Sequence, residues 1–330
     1  MKTTPAPGVP IVVDDPEAQP LRTFPTCLRM PVPCPEPGVY HDIPDAEYHR
    51  WAAVSQSLLK QCLDEFDGGC PAICRHYMDS CESEPTDAQA FGTAYHTLAL
   101  QGEGVFRARY PAIIEHESTG PRGGTVRKTR RDPEWKAAIE AHGDGAVLWD
   151  DDVAVMRRML AALQGHKYAG PIVAGPGKRE VALVWDDPDF GIRCKARCDW
   201  LHDRYAADLK TTEDASPLGF GRSAATYGYH VQAAWYRRGL VCLHKLGKLA
   251  TGARPFVLFA QRKSPPYIVA PYVVTASEYH NGEGHIGPAM YELTRSLDTG
   301  EWPGYGDDVQ ELRMPTWAGG PGREEEEGIN

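Results

Sequence analysis

Between Lys178 and Thr212 the chain runs through EVALVWDD, GIRCKARCDWL and YAADLKTT, three strand-length segments with turns at DDPDF and HDR. Connections this short fold the three back on one another as an antiparallel meander, and no other feature constrains the fold as tightly. Alternate side chains of a strand share a face, so Asp208 and Lys210 point one way and Leu209 points into the opposite layer. A turn symmetric about Asp203 and Arg204 then sets Asp199 opposite Asp208, with Cβ atoms about 5 Å apart.

Like charges directly opposed on a sheet are destabilising unless a cation lies between them or one is protonated. Hard carboxylate oxygens suit Mg²⁺, with Mn²⁺ as a substitute, ions that keep several waters and accept phosphate oxygens. Lys210, beside such an ion, can hold or polarise an attacking water. A lone Asp-x-Lys is ordinarily a solvated surface hairpin, but this one has company. Glu180 lies on the preceding strand, and Arg193, Lys195, Arg197 and Asp199 alternate along one face, a row costly to bury without anionic partners. After the meander, Tyr229, Gln232 and Tyr236 stand at i, i+3 and i+7 and share a helix face, a pattern that alone describes only an amphipathic helix.

Helical signals precede the meander. Asp45 and Ser55 cap two short helices, the second carrying Leu58, Leu59 and Cys62, and further helices are predicted over 87–100, 132–141 and 150–163. After it, one helical stretch over 217–246, two β-rich segments (PFVLFAQ and YIVAPYVV) and a helix over 277–297 follow. This order predicts an α/β fold with a mixed central sheet. Residues 1–37 are proline-rich and aperiodic, a disordered or wrapping arm; 318–330 read as an acidic flexible tail, leaving 38–317 as the folded domain.

At 330 residues and 42% hydrophobic the chain can bury one large core. No apolar run approaches the roughly 20 residues of a membrane span and the start lacks a signal-like stretch, which predicts a cytoplasmic protein with no membrane association. Nine cysteines without a secretory signal predict reduced thiols; Cys62, Cys70, Cys74 and Cys81 lie close enough in sequence to raise a metal cluster, but their spacing matches no paired Cys-x-x-Cys pattern. The net charge of −10 argues against a global positive field, not against basic residues gathered locally. One such gathering is PRGGTVRKTRR, where Arg122, Arg127, Lys128, Arg130 and Arg131 crowd into 121–131, and we expect it to contact phosphates and to be poorly ordered without them.

Taken in order, Glu180, GIRCKARCDWL, AADLKTT and YHVQAAWY resemble the nuclease core of the RecB-type branch of the PD-(D/E)xK superfamily (the restriction-endonuclease-like fold), especially exonuclease VIII (RecE) of phages and prophages. In that family an upstream helix supplies a histidine, one strand an aspartate, the next an Asp-x-Lys and the following helix a Gln-x-x-x-Tyr. The matching residues are His96 in FGTAYHT, Asp199, Asp208 with Lys210, and Gln232 with Tyr236. YHDIPDAEYHRW, VSQSLLKQC, EWPGY and LRMPTWA extend the similarity over 38–317.

The resemblance implies a DNA phosphodiester hydrolase in which Asp199, Asp208, the Leu209 carbonyl and His96 bind one or two Mg²⁺ ions. Lys210 assists the water, Glu180 completes the acidic shell, and Gln232 and Tyr236 orient Lys210 or the phosphate backbone; Arg193, Lys195, Arg197 and Tyr229 are expected to meet DNA. It further implies 5′-to-3′ resection of double-stranded ends, a ring-shaped homo-oligomer and a single-strand annealing partner in DNA recombination. Members of this type can carry long amino-terminal regions, whereas only a short arm precedes this core. The alternatives are a RecB-type nuclease of other polarity or an endonuclease, such as the CRISPR-associated iron-sulfur enzymes, and a catalytically silent DNA-binding scaffold. The CRISPR-type cysteines, three of which follow the core, are absent here because no cysteine lies beyond Cys242.

Overall fold

The computed structural model describes residues 21–314 apart from 64–67, 81–85, 120–124, 144, 307, 310 and 313. In chain order its first elements are β1 (Val32–Pro33), β2 (Gly38–Tyr40), α1 (Asp45–Arg50), β3 (Trp51–Ala52), α2 (Gln56–Lys60) and α3 (Pro71–Asp79). Next come α4 (Asp87–His96), a π-helical turn (Thr97–Gln101), α5 (Gly102–Arg109), β4 (Ala112–Ile114), β5 (Glu117–Thr119), β6 (Thr125–Arg127), α6 (Pro133–His142), β7 (Val147–Trp149), α7 (Asp150–Gly165) and α8 (Ala169–Ala174). The meander is β8 (Lys178–Asp187), β9 (Ile192–Leu201) and β10 (Ala206–Thr212). The helices α9 (Pro217–Thr226) and α10 (Tyr229–Lys245), strands β11 (Phe256–Arg262) and β12 (Val269–Val273), and α11 (Ala276–Thr299) complete the core.

Six strands form one sheet in the order β12-β11-β10-β9-β8-β2. Strands β10 and β11 run parallel while the other neighbours run antiparallel, giving the mixed α/β sheet flanked by helices that the element order predicts. One face buries Trp185 and Phe256 against Leu58, Trp235 and Met290; the other buries Trp200, Leu209 and Phe259 against Tyr95 and Met156. Leu209 therefore does turn away from the layer that holds α10. Among the described residues no helix is long and apolar enough to cross a membrane.

The helix following the meander is broken where the sequence reading made it continuous. Gly228 adopts a left-handed φ of 64° between α9 and α10, so the chain re-aims there before Tyr229. Helix α10 then lies close on β8 because Gly239 has no side chain: a Cβ there would stand 2.7 Å from the Trp185 ring. Arg238 clamps the same contact, its Nε 2.5 Å from the buried Asp187. Within the arm, Arg22 bridges to Ile192, Phe24 and Met30 are buried, and β1 pairs with β3.

The capping assignments show how local sequence starts the helices that matter below. Ser55 Oγ accepts from the Leu58 amide, and Thr86 with Gln89 forms a capping box that opens α4. Asp45 sits in the first turn of α1, one residue after the Pro44 N-cap. Cys62, Cys70 and Cys74 are buried free thiols, with Cys62 hydrogen-bonded to Cys74; Cys81 lies outside the described residues.

Candidate active site

The turn after β9 has the expected symmetry, since Leu201 pairs with Ala206 and Trp200 with Ala207. Continuing that register by one residue brings Asp199 opposite Asp208, and there the main-chain ladder ends. In its place Asp199 Oδ2 accepts from the Leu209 amide at 2.7 Å. On the other side of β9, Arg179 pairs with Trp200 and Val181 with Cys198; between these pairs stand Glu180 and Asp199. Three acids thus occupy one row across three adjacent strands.

The backbone is distorted at that row. Glu180 has φ of 52°, a left-handed conformation uncommon for a non-glycine residue, which the surrounding strands must hold in place. Cys194, Ala196 and Cys198 pack in one core whereas Trp200 packs in the other, so the alternation of β9 slips by one at Asp199. The even row of Arg193, Lys195, Arg197 and Asp199 read from the sequence is interrupted for this reason.

Other elements close around the acids. His96, at the end of α4, places Nδ1 3.8 Å from Asp199 Oδ2 and is hydrogen-bonded to the backbone of Leu209. From α10, Gln232 Nε2 donates to Asp208 Oδ1 at 3.0 Å and to the Tyr236 hydroxyl at 3.1 Å, and Tyr236 donates to the Arg197 carbonyl at 2.6 Å. Lys210 Nζ lies 2.5 Å from Asp208 Oδ2 and 4.9 Å from the centre of the Tyr229 ring. Asp208 is buried, and the Lys210 ammonium is the group set against its Oδ2.

Electrostatics at the row follow from burial and crowding. Burial first, and then the Asp208 charge, push Asp199 well above the usual carboxylate range. Burial and Asp199 likewise raise Glu180 to about 7, even though Arg197 lies 2.5 Å away, because Arg197 is shared with Asp45. His96 is lowered by burial, which favours the neutral, metal-ligating imidazole. Burial pulls Lys210 down, but Asp208, Tyr229 and Asp199 outweigh it and hold the ammonium above its ordinary value.

A site rich in raised carboxylates, with the buried Asp208 carboxylate, a neutral imidazole and the Leu209 backbone converging, fits a hard divalent cation. Among the described residues no three His, Cys, Asp or Glu side chains already stand as a closed ligand set, and this holds for the cysteines as well. The Lys210 ammonium is the cation placed against Asp208.

The site opens into a cavity of about 300 Å³ lined by His96, Glu180, Arg197, Asp199, Gln232 and Tyr236, among others. Asp45 also lines it, a residue the sequence marked only as a helix cap. It accepts from Arg197 and Arg109 and lies 3.3 Å from His49, which with the two arginines holds its carboxyl well below the carboxylate range. A larger cleft of about 830 Å³ between α9, α10, β12 and α11 contains none of the meander acids.

Residues 55–315 match the family described as "PDDEXK-like domain of unknown function (DUF3799)". The chain belongs to this family. A solved structure from Eubacterium rectale, described as a "putative exonuclease", shares the fold with a TM-score of 0.53 at 15% identity, covering 80% of this chain and 91% of that one. No curated protein matches the sequence. The PD-(D/E)xK fold and the superfamily expectation are thereby shown, and nucleases of this superfamily generally use divalent metals.

Two of the basic residues assigned to DNA are committed to the protein itself. Lys195 is 3% exposed and donates to the carbonyls of Tyr48, His49 and Trp51, using all three of its protons; burial pulls it down to about 8. Arg193 pairs with Asp186 and Glu36 and donates to the Pro35 carbonyl. Lys195 has no donor left for a phosphate, and the charge of Arg193 is taken up by two carboxylates. Arg197 and Tyr229 do stand at the site. Arg127, Lys128, Arg130 and Arg131 lie on or beside β6, remote in sequence from the acids, and Arg122 is outside the described residues.

Proposed function

We propose that the protein is a cytoplasmic, metal-dependent DNA exonuclease of the exonuclease VIII type, hydrolysing phosphodiester bonds at double-stranded ends with 5′-to-3′ polarity. The observation that carries the reading is the convergence of His96, Asp199, Asp208, the Leu209 backbone and Lys210 at one distorted sheet row facing a cavity. Mg²⁺ or Mn²⁺, held by Asp199, Asp208, the Leu209 carbonyl and His96, would supply Lewis-acid stabilisation of charge at the phosphate. Lys210 holds the attacking water by its ammonium protons, steadied by Asp208 and Tyr229. Gln232 and Tyr236 position Asp208 through their shared hydrogen bonds, and Glu180 adds negative charge to the shell. Arg127, Lys128, Arg130 and Arg131, with Arg122, contact the DNA backbone.

Incubating the purified protein with linear duplexes labelled at the 5′ or the 3′ end, with Mg²⁺, Mn²⁺ or EDTA, tests this. Release of labelled short products from 5′ ends only, blocked by EDTA, is expected. Internal cuts would identify an endonuclease, 3′ release the opposite polarity, and no cleavage a silent scaffold. The ring-shaped oligomer and the annealing partner rest on the resemblance to exonuclease VIII alone and are checked by solution mass and by co-purification.

A further inference from the structure

A second cavity, about 750 Å³, lies beside the far end of α4 from His96. Its floor includes Phe91, Trp135 and Trp149, with Trp149 packed between Trp135 and His116 at centroid distances of 4.1 and 4.5 Å. Its rim carries Arg127, Lys128, Arg130 and Lys263, in a protein whose net charge is −10. Each of these cations is held by an acid: Arg127 by Asp151 at 3.2 Å, Lys128 by Glu134 at 2.5 Å, Arg130 by Asp87 at 2.6 Å and Lys263 by Glu213 at 2.6 Å.

Helix α4 runs between this bay and the acids. Asp87, Ala88, Ala90 and Phe91 of α4 line the bay, and Thr93 and His96 of the same helix line the catalytic cavity. From Asp87 to His96 the helix spans about 14 Å at its rise of 1.5 Å per residue. Along a duplex axis, on which one strand advances about 3.4 Å per phosphate, that length corresponds to at most about four phosphates.

We propose that the bay holds the phosphodiester backbone of the strand being cut, within about four nucleotides of the scissile bond, with Asp87, Glu134, Asp151 and Glu213 standing in for its phosphates until it arrives. This rests on the nuclease reading above. The ion pairs are surface pairs, individually weak and screened by salt, so exchanging a carboxylate for a phosphate partner costs little. The carboxylates keep the rim neutral toward other anions and pre-orient the cations.

Binding without catalysis isolates the idea. With EDTA present, affinity for a short labelled blunt duplex, and for the same single strand, is measured against salt. The Lys128→Gln/Arg130→Gln/Lys263→Gln variant should lose up to about 2.7 from the slope of log affinity against log salt on duplex, at about 0.9 per contact, and less on single strand. The Asp87→Asn/Glu134→Gln/Glu213→Gln variant should bind several-fold tighter than wild type. A Glu278→Gln/Glu292→Gln control, on α11 across the sheet, should not. An unchanged slope in the first variant, or tightening no greater than the control's, overturns the bay while cleavage by the wild type leaves the nuclease reading standing. A wild-type chain that binds neither probe overturns both.

Discussion

Replacing Glu180 by Gln in the metal-free protein isolates the cost of crowding three acids into one row. Glu180 titrates near 7 in the folded chain against 4.5 for the free side chain, because burial and Asp199 both oppose its charge. The folded state therefore binds a proton that the unfolded state has released, and stability present below about pH 4.5 is lost as pH rises through 7. At 1.36 kcal/mol per unit, the 2.5-unit gap amounts to about 3 kcal/mol, or about 6 °C in melting temperature for a chain of this size. Asp199 shifts in the same direction and adds to the slope, so the wild-type and Gln variants must be compared at each pH. Thermal or urea unfolding in EDTA between about pH 5 and pH 8 reads the difference. The Gln variant should gain on wild type progressively across that range, and added Mg²⁺ should shrink its advantage. Parallel curves over the whole range would refute the reasoning.

Asp208→Ala and Lys210→Ala should each abolish release of end label, but a divalent-dependent rise in melting temperature should vanish only in the first, because Lys210 is not a ligand. His96→Ala should lower metal-dependent turnover at least about tenfold with little change in unfolding midpoint; equal losses in both would make the histidine structural. Gly239→Ala should cost about 1–3 kcal/mol by driving α10 off Trp185, seen as a lower urea midpoint at unchanged slope, and an unchanged midpoint would contradict the close packing.

The meander was legible because its cues are local: period-two patterning, and a four-residue turn whose symmetry sets Asp199 against Asp208. The shared face of α10 was legible too, since Gln232 and Tyr236 need only helical spacing to meet. What sequence could not supply were partners distant along the chain. Lys195 and Arg193 read as a row awaiting phosphates, yet all the partners of Lys195, and the Pro35 and Glu36 partners of Arg193, lie about 150 residues earlier, in segments with no complementary pattern. Asp45 escaped for the same reason, its link to Arg197 being long-range. The break at Gly228 had a signal, a glycine inside a helical run, which the surrounding apolar periodicity masked. The slip at Asp199 had none, since it arises from strain shared by two strands.

That the acids sit on strands rather than loops makes the site a matter of counting. The lengths of the links 188–191 and 202–205 help decide whether positions 180, 199 and 208 fall in one row. Adding or deleting a single residue in either link exchanges the faces of the strand beyond it and sends a carboxylate into apolar packing. Asp203 and Arg204, exposed at the second tip, can therefore be replaced residue for residue as a place for labels or cross-linkers, whereas a one-residue change of length there would be as damaging as removing an acid.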